Sequence, residues 1–303
     1  MKKVLLVLVT IVISGIGYAQ NFTPLWPSGR MPNSKGLQLR DSIVNDRIIQ
    51  VGVPGFYSFF PAKEENTGAA ILIFPGGGYH HLTYDLGGFQ LAKWFNSMGI
   101  SAFVVNYRLP TSPDLVHCEL GPLQDAQRAM RIIRANAAKW KIDPAKIGVQ
   151  GSSAGGHVAA MMGCLKDDVS RINDSLDKIS FQADFMILVS PVISMGVNAH
   201  KGSKENFLGK NPSKEMTDKY SMELQVNSTT PRCFIADAFN DKTVPPINSL
   251  LFYQALLEKN ISTSFHVFPQ GAHSIGLTNN PGSTVLWKSL LEAWMKEMQF
   301  TEH

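Results

Sequence analysis

Gly151-Ser152-Ser153-Ala154-Gly155 is the stretch of this sequence best suited to covalent chemistry. It fits G-x-S-x-G, where a serine on a sharp strand-to-helix turn acts as nucleophile. A serine hydroxyl attacks poorly unless it is exposed and held against a base. A turn sharp enough to expose it strains the serine backbone. It also brings strand and helix so close that the residues two before and two after must lack bulk. Gly151 and Gly155 meet that need around Ser153, whereas the same positions around Ser152 hold Gln150 and Ala154. The five letters are common on their own, and the context gives them meaning. Apolar Ile147-Gly148-Val149-Gln150 runs in as a strand, and His157-Val158-Ala159-Ala160-Met161-Met162 runs out as a helix. The bland alternative is a tightly packed turn without chemistry.

A serine nucleophile needs a base and an acid partner. Of the eight histidines, His273 lies just after the last predicted strand, in a loop that Gly271 frees to turn. His266 falls inside that strand and reads as structural. His157 lies along the helix that follows the serine, directed away from the hydroxyl. The acid should follow the preceding strand, where Asp237 and Asp241 compete; Asp241, just before Val244-Pro245, is favoured, leaving Asp237 as a surface or capping residue. The chain order Ser153, Asp241, His273 differs from the orders of the trypsin-like and subtilisin-like proteases.

Negative charge on the substrate oxygen calls for two backbone N–H donors. One is expected from Ala154, beside the nucleophile. The other is expected from Gly77 or Gly78 in Phe74-Pro75-Gly76-Gly77-Gly78-Tyr79, because glycine lets a backbone approach a substrate closely. Tyr79 and His80 adjoin this loop as candidates for the pocket wall; a plain surface position is the alternative for His80 and His81. No Lys-Ser/Thr follows the glycines, so a phosphate-cradling loop is disfavoured.

These residues need a scaffold that brings strand ends together. Short apolar runs at residues 69–74, 100–106, 146–150, 185–189, 233–236 and 264–268 read as buried strands. Residues 47–53 and 56–60 add two early strands. Helical periodicity lies between them at residues 86–98, 123–140, 153–165, 246–259 and 285–298, with Arg128, Arg131 and Arg134 on the outer face of the second helix. Alternation of this kind predicts an α/β fold, a mainly parallel sheet of about eight strands covered on both sides. Residues 21–39 are expected to lie extended on the surface. Residues 192–231, after the sixth strand, are polar and long for a simple connection. They read either as an insertion acting as a lid or as a crossover helix with long loops.

Met1-Lys2-Lys3 followed by an apolar run and small residues to Ala19 reads as a signal peptide over residues 1–20, leaving residues 21–303 as a single domain. The run is short of the roughly 20 residues a bilayer span needs, so no integral membrane anchor is expected. Removing Lys2 and Lys3 leaves 26 basic against 24 acidic residues, so the basic balance does not point to nucleic acid. Cys118, Cys164 and Cys233 show no metal-ligand spacing, and Cys164 and Cys233 read as buried thiols. No metal and no cofactor is called for.

Taken together, Pro75-Gly76-Gly77-Gly78-Tyr79, Val105-Asn106-Tyr107-Arg108-Leu109, Gly151-Ser152-Ser153-Ala154-Gly155-Gly156-His157 and Asp241-Lys242-Thr243-Val244-Pro245 resemble bacterial α/β-hydrolase esterases near the hormone-sensitive-lipase and carboxylesterase group. The closest resemblance is to the acetyl xylan esterase and related carbohydrate-esterase branch, to which Leu25-Trp26-Pro27 and Phe207-Leu208-Gly209 are also similar. It extends over residues 25–298. Pro75 stands where lipase-type members often carry histidine. The resemblance implies removal of acetyl groups from hemicellulose or oligosaccharides outside the cytoplasm, with an acetylated carbohydrate or other small ester as the partner. Competing readings are a general short-chain carboxylesterase, a prolyl-oligopeptidase-like peptidase, for whose propeller the chain has no room, and a non-catalytic binding protein on the same fold.

Overall fold

The computed structural model describes residues 21–273 and 275–301. The leader expected over residues 1–20 lies outside the described residues. The strands are β1 (Phe22–Pro24), β2 (Ser42–Val44), β3 (Arg47–Gln50), β4 (Gly55–Phe59), β5 (Ala70–Phe74), β6 (Ser101–Asn106), β7 (Ile147–Ser152), β8 (Phe185–Val189), β9 (Arg232–Ala238) and β10 (Thr263–Phe268). The α-helices are α1 (Gln90–Ser97), α2 (Leu120–Ala135), α3 (Ala137–Trp140), α4 (Ala154–Cys164), α5 (Lys201–Leu208), α6 (Lys214–Lys219), α7 (Ile247–Glu258) and α8 (Trp287–Glu297).

Eight strands form one sheet in the order β1-β4-β6-β5-β7-β8-β9-β10. β4 pairs antiparallel with β1 and β6, and every other pairing is parallel. Strand side chains alternate between faces. Ala70, Leu72 and Phe74 therefore enter the core shared with α2, α4 and α7, while Ile71 and Ile73 enter the core shared with α1 and α8. A sheet buried on both faces accounts for the unbroken apolar runs.

Two expectations require correction at the sheet edge. Residues 47–53 do not supply a strand of the main sheet: β3 pairs with β2 in a separate two-stranded ribbon, and its Ile48 bridges to Leu82. The edge position belongs to β1, within the segment expected to lie extended on the surface. β1 pairs with β4 and sets Phe22 against Tyr57, ring centroids 4.9 Å apart. A three-residue edge strand ending in proline is too short to carry a periodic signal.

The outer face of α2 is the third correction. Arg128 and Arg131 are buried, because residues 166–182 return across that face. Asp174 receives Arg128 and Asp168 receives Arg131, both through paired contacts. Arg134 reaches Asp184. Helical periodicity reports the side facing the sheet; it does not reveal a loop that covers the opposite side with matched carboxylates.

The deepest ion pair unites three segments. Arg108 and Asp125 are 2% and 0% exposed, with Arg108 Nη2 2.9 Å from Asp125 Oδ1. Asp125 also accepts from the Arg108 backbone N–H at 2.8 Å and from Trp26 Nε1 at 2.8 Å. Removing one partner of a buried pair strands the other charge. Asp125→Ala is therefore expected to cost about 3–5 kcal/mol of stability in urea titration, against the roughly 0–1 kcal/mol expected for an exposed pair such as Lys214–Asp218.

Candidate active site

The parallel register Phe74↔Gly151 sets the glycine loop after β5 beside the turn after β7. Ser153 occupies that turn with φ 56° and ψ −125°, and α4 begins at the next residue. A non-glycine residue with positive φ is strained, and here the strain holds the side chain out of the sheet. Both flanking glycines are needed. A methyl group on Gly151 would lie 2.0 Å from the Gly155 carbonyl oxygen, and one on Gly155 would lie 1.9 Å from that of Phe74. The turn is fixed by Ser153 N–H donating to Val189 O at 3.2 Å and by Val192 N–H donating to Ser153 O at 2.9 Å.

His273 stands between Ser153 and Asp241. Its Nε2 lies 2.9 Å from Ser153 Oγ and its Nδ1 2.6 Å from Asp241 Oδ2. A carboxylate can only accept, so Nδ1 carries the proton and Nε2 is free to accept from the serine hydroxyl. The loop that presents His273 turns at Gly271, φ 144°, a conformation that favours glycine. It is tied to the acid loop by Ala272 N–H donating to Asn240 Oδ1 at 2.8 Å. Asp241 Oδ1 accepts from the N–H groups of Thr243 and Val244 at 2.8 and 3.0 Å, which leaves Oδ2 for the imidazole.

Asp237 is neither a surface nor a helix-capping residue. It is fully buried, accepts from Ser249 Oγ at 2.7 Å, and makes no hydrogen bond to His273. Burial is the main cause that pushes its carboxyl up to about 6. Its folded pKa thus lies above the ordinary value of 3.8, and the folded state holds the proton more tightly than the unfolded chain does. The stability it contributes is present below about pH 4 and is lost as pH rises through about 6. Asp237→Asn should therefore raise the melting temperature more at pH 8 than at pH 5, as measured by thermal unfolding in both buffers.

The N–H groups of Gly77, Gly78 and Ala154 find no acceptor among the described residues. Their loop is held from behind. Tyr107 Oη donates to Pro75 O at 2.7 Å, Thr83 N–H donates to Gly76 O at 3.0 Å, and Asn206 Nδ2 donates to Gly78 O at 2.8 Å. Carbonyls fixed in this way leave the intervening N–H groups directed elsewhere. Nothing in the sequence marks Asn206 for this role, and Tyr107 stands out only as one member of the Val105–Leu109 motif.

Tyr79 is not a wall of an open pocket. It is fully buried, stacks on Phe207 at 4.7 Å, and its hydroxyl lies 2.7 Å from His157 Nδ1. His157 Nε2 lies 2.8 Å from Tyr220 O. Burial pushes the His157 pKa down to about 4, opposed by its bond to that carbonyl, so the ring is neutral. A carbonyl only accepts; Nε2 therefore carries the proton and Nδ1 accepts from Tyr79. His80 is exposed beside the loop. His266 lies in β10 against Ser264 Oγ, away from the serine. Cys164 and Cys233 are buried free thiols. Residues 192–231 carry α5 and α6, and their Phe207, Tyr220 and Met222 are buried in the main core.

Among the described residues, no cluster of three metal-ligating side chains is assembled and no helix is long and apolar enough to cross a membrane.

The BD-FAE family model matches residues 58–256. The chain is 39% identical to endo-1,4-beta-xylanase B of Butyrivibrio fibrisolvens over 210 residues, which is 69% of this chain and 33% of that protein. It is 36% identical to an acetylxylan esterase of Xylanibacter ruminicola over 219 residues, 70% of this chain and 42% of the other. The chain thus spans about a third of the first curated relative and about two fifths of the second. A solved structure, the acetyl ester-xyloside bifunctional hydrolase of Caldicellulosiruptor lactoaceticus, superposes with TM-score 0.79 at 34% identity, covering 93% of this chain and 98% of that one.

Proposed function

The chain belongs to the BD-FAE family and has the α/β-hydrolase fold, and on that premise we propose that it is a serine esterase that removes acetyl groups from xylan or related oligosaccharides. The observation that carries the reading is the position of His273, within hydrogen-bond reach of both Ser153 and Asp241. Similarity to an acetylxylan esterase and to an acetyl ester-xyloside hydrolase supports the substrate class.

In this reading Ser153 Oγ attacks the acetyl carbonyl carbon while its proton passes to His273 Nε2. Asp241 stabilises the imidazolium through the Nδ1–H bond. The N–H of Ala154, with that of Gly77 or Gly78, receives the oxyanion, each such donor contributing about a hundredfold to a thousandfold in rate. Collapse of the tetrahedral intermediate breaks the bond to the sugar oxygen, which takes the proton from His273. The acetyl-enzyme is then attacked by water, which gives a proton to the same nitrogen; acetate leaves and Ser153 is restored.

Export belongs to the same reading, supported by the basic start, apolar run and small residues ending at Ala19. N-terminal sequencing of the protein recovered outside the cytoplasm tests it; an intact Met1 there would exclude cleavage.

The substrate is tested by acetate release from acetylated xylo-oligosaccharides, with a simple aryl acetate alongside. Release that depends on Ser153 supports the reading. Cleavage of the aryl acetate alone would leave a general short-chain carboxylesterase.

A further inference from the structure

Residues 192–231 place a second histidine, His200, beside the triad. His200 precedes α5 and is half-buried, and both His273 and Asp241 lie near enough for their charges to act on it. It also faces the glycine loop: a methyl group on Gly78 would lie 4.0 Å from His200 Cε1 and 4.0 Å from Ser203 Oγ. Asn206, one turn along α5, donates to Gly78 O at 2.8 Å and holds the helix against that loop. His200 therefore borders the place where the oxyanion donors and the base converge.

Its tautomer follows from the backbone. Ser203 N–H donates to His200 Nδ1 at 3.2 Å, and Ser203 Oγ lies 2.8 Å from the same nitrogen. An N–H can only donate, so Nδ1 is the acceptor and the neutral ring carries its proton on Nε2. Burial and the neighbouring His273 disfavour a second proton and outweigh the opposite pull of Asp241. Among the described residues, Nε2–H has no acceptor. A fixed, neutral donor at the rim of an esterase site suits an uncharged, oxygen-rich substrate.

Resting on the reading of the site as a carbohydrate acetyl esterase, we propose that His200 is a specificity residue whose Nε2–H donates to a hydroxyl or ring oxygen of the sugar that carries the acetyl group. An aryl acetate has no such oxygen in its leaving group. The bond therefore contributes to turnover of the sugar ester and not to the acyl chemistry common to both substrates.

The test compares kcat/KM for acetylated xylo-oligosaccharide and for an aryl acetate in wild type, His200→Ala and His200→Asn. Asparagine retains an N-cap acceptor for the Ser203 N–H but has no group at the position of Nε2. The sugar-to-aryl ratio is expected to fall about tenfold in both variants, the size of one lost hydrogen bond. A ratio that falls in His200→Ala but returns to wild type in His200→Asn would make His200 only a helix cap and overturn the assignment. Equal losses on the two substrates would overturn it as well. Failure of the wild type to release acetate from the sugar, with the aryl acetate still cleaved, would overturn the substrate reading and this inference with it.

Discussion

Ser153→Ala is expected to lower kcat on an aryl acetate by about four to six orders of magnitude while leaving the melting temperature within a few degrees. In the proposed mechanism the serine hydroxyl forms the acyl bond, and its removal leaves the N–H groups of Gly77, Gly78 and Ala154 in place. Stability should change little, because alanine and serine both place a Cβ at the same strained φ of 56°, and the backbone bonds from Ser153 N–H and to Ser153 O remain. Fluorophosphonate labelling provides the check independent of substrate: wild type should be modified at Ser153 and the variant should not. An active variant, or a label on another residue, would remove Ser153 from the mechanism.

Asp241→Asn is expected to cost about four orders of magnitude in kcat. The geometry supplies the reason. The N–H groups of Thr243 and Val244 both point at Oδ1. An asparagine must leave its oxygen there to avoid opposing donors, and its NH2 then faces His273 Nδ1. That nitrogen must become the acceptor, the imidazole proton moves to Nε2, and Nε2 can no longer accept from Ser153. Asp237→Asn makes no such inversion and should lose less than about tenfold in activity, since Asp237 is bonded to Ser249 and not to His273. Steady-state rates of the two variants at one pH decide between them. A heavier loss in Asp237→Asn would transfer the acid role to that residue.

The turn at Ser153 was legible because its requirements are local. Two glycines four residues apart, a strand before and a helix after can all be read from one window. The meeting of His273 and Asp241 with Ser153 was legible through the order of elements, since both follow successive predicted strands. Phe185–Val189 coincides with the expected strand because a fully buried parallel strand is an unbroken apolar run. What escaped depends on contacts distant in the chain. The burial of Arg128 and Arg131 requires a loop some 40 residues later. The burial of Tyr79 depends on Phe207, and nothing near His200 in the sequence indicates that it faces Gly78. β1 escaped because three residues carry no period.

The chain of bonds through His157 bears on how this protein could be recombined with its relatives. Tyr79 from the glycine loop, His157 from α4 and Tyr220 from the 192–231 segment form one buried relay, closed by Phe207 between them. The segment looks in sequence like a cassette that could be exchanged to alter substrate range. Its hydrogen-bond acceptor and its aromatic wedge, however, back a loop more than 100 residues earlier. A chimera that imports a foreign segment without matching Tyr79 and His157 would leave a neutral imidazole without its carbonyl, and the glycine loop without its backing. The transferable unit is therefore discontinuous, and successful grafts should carry all three pieces together.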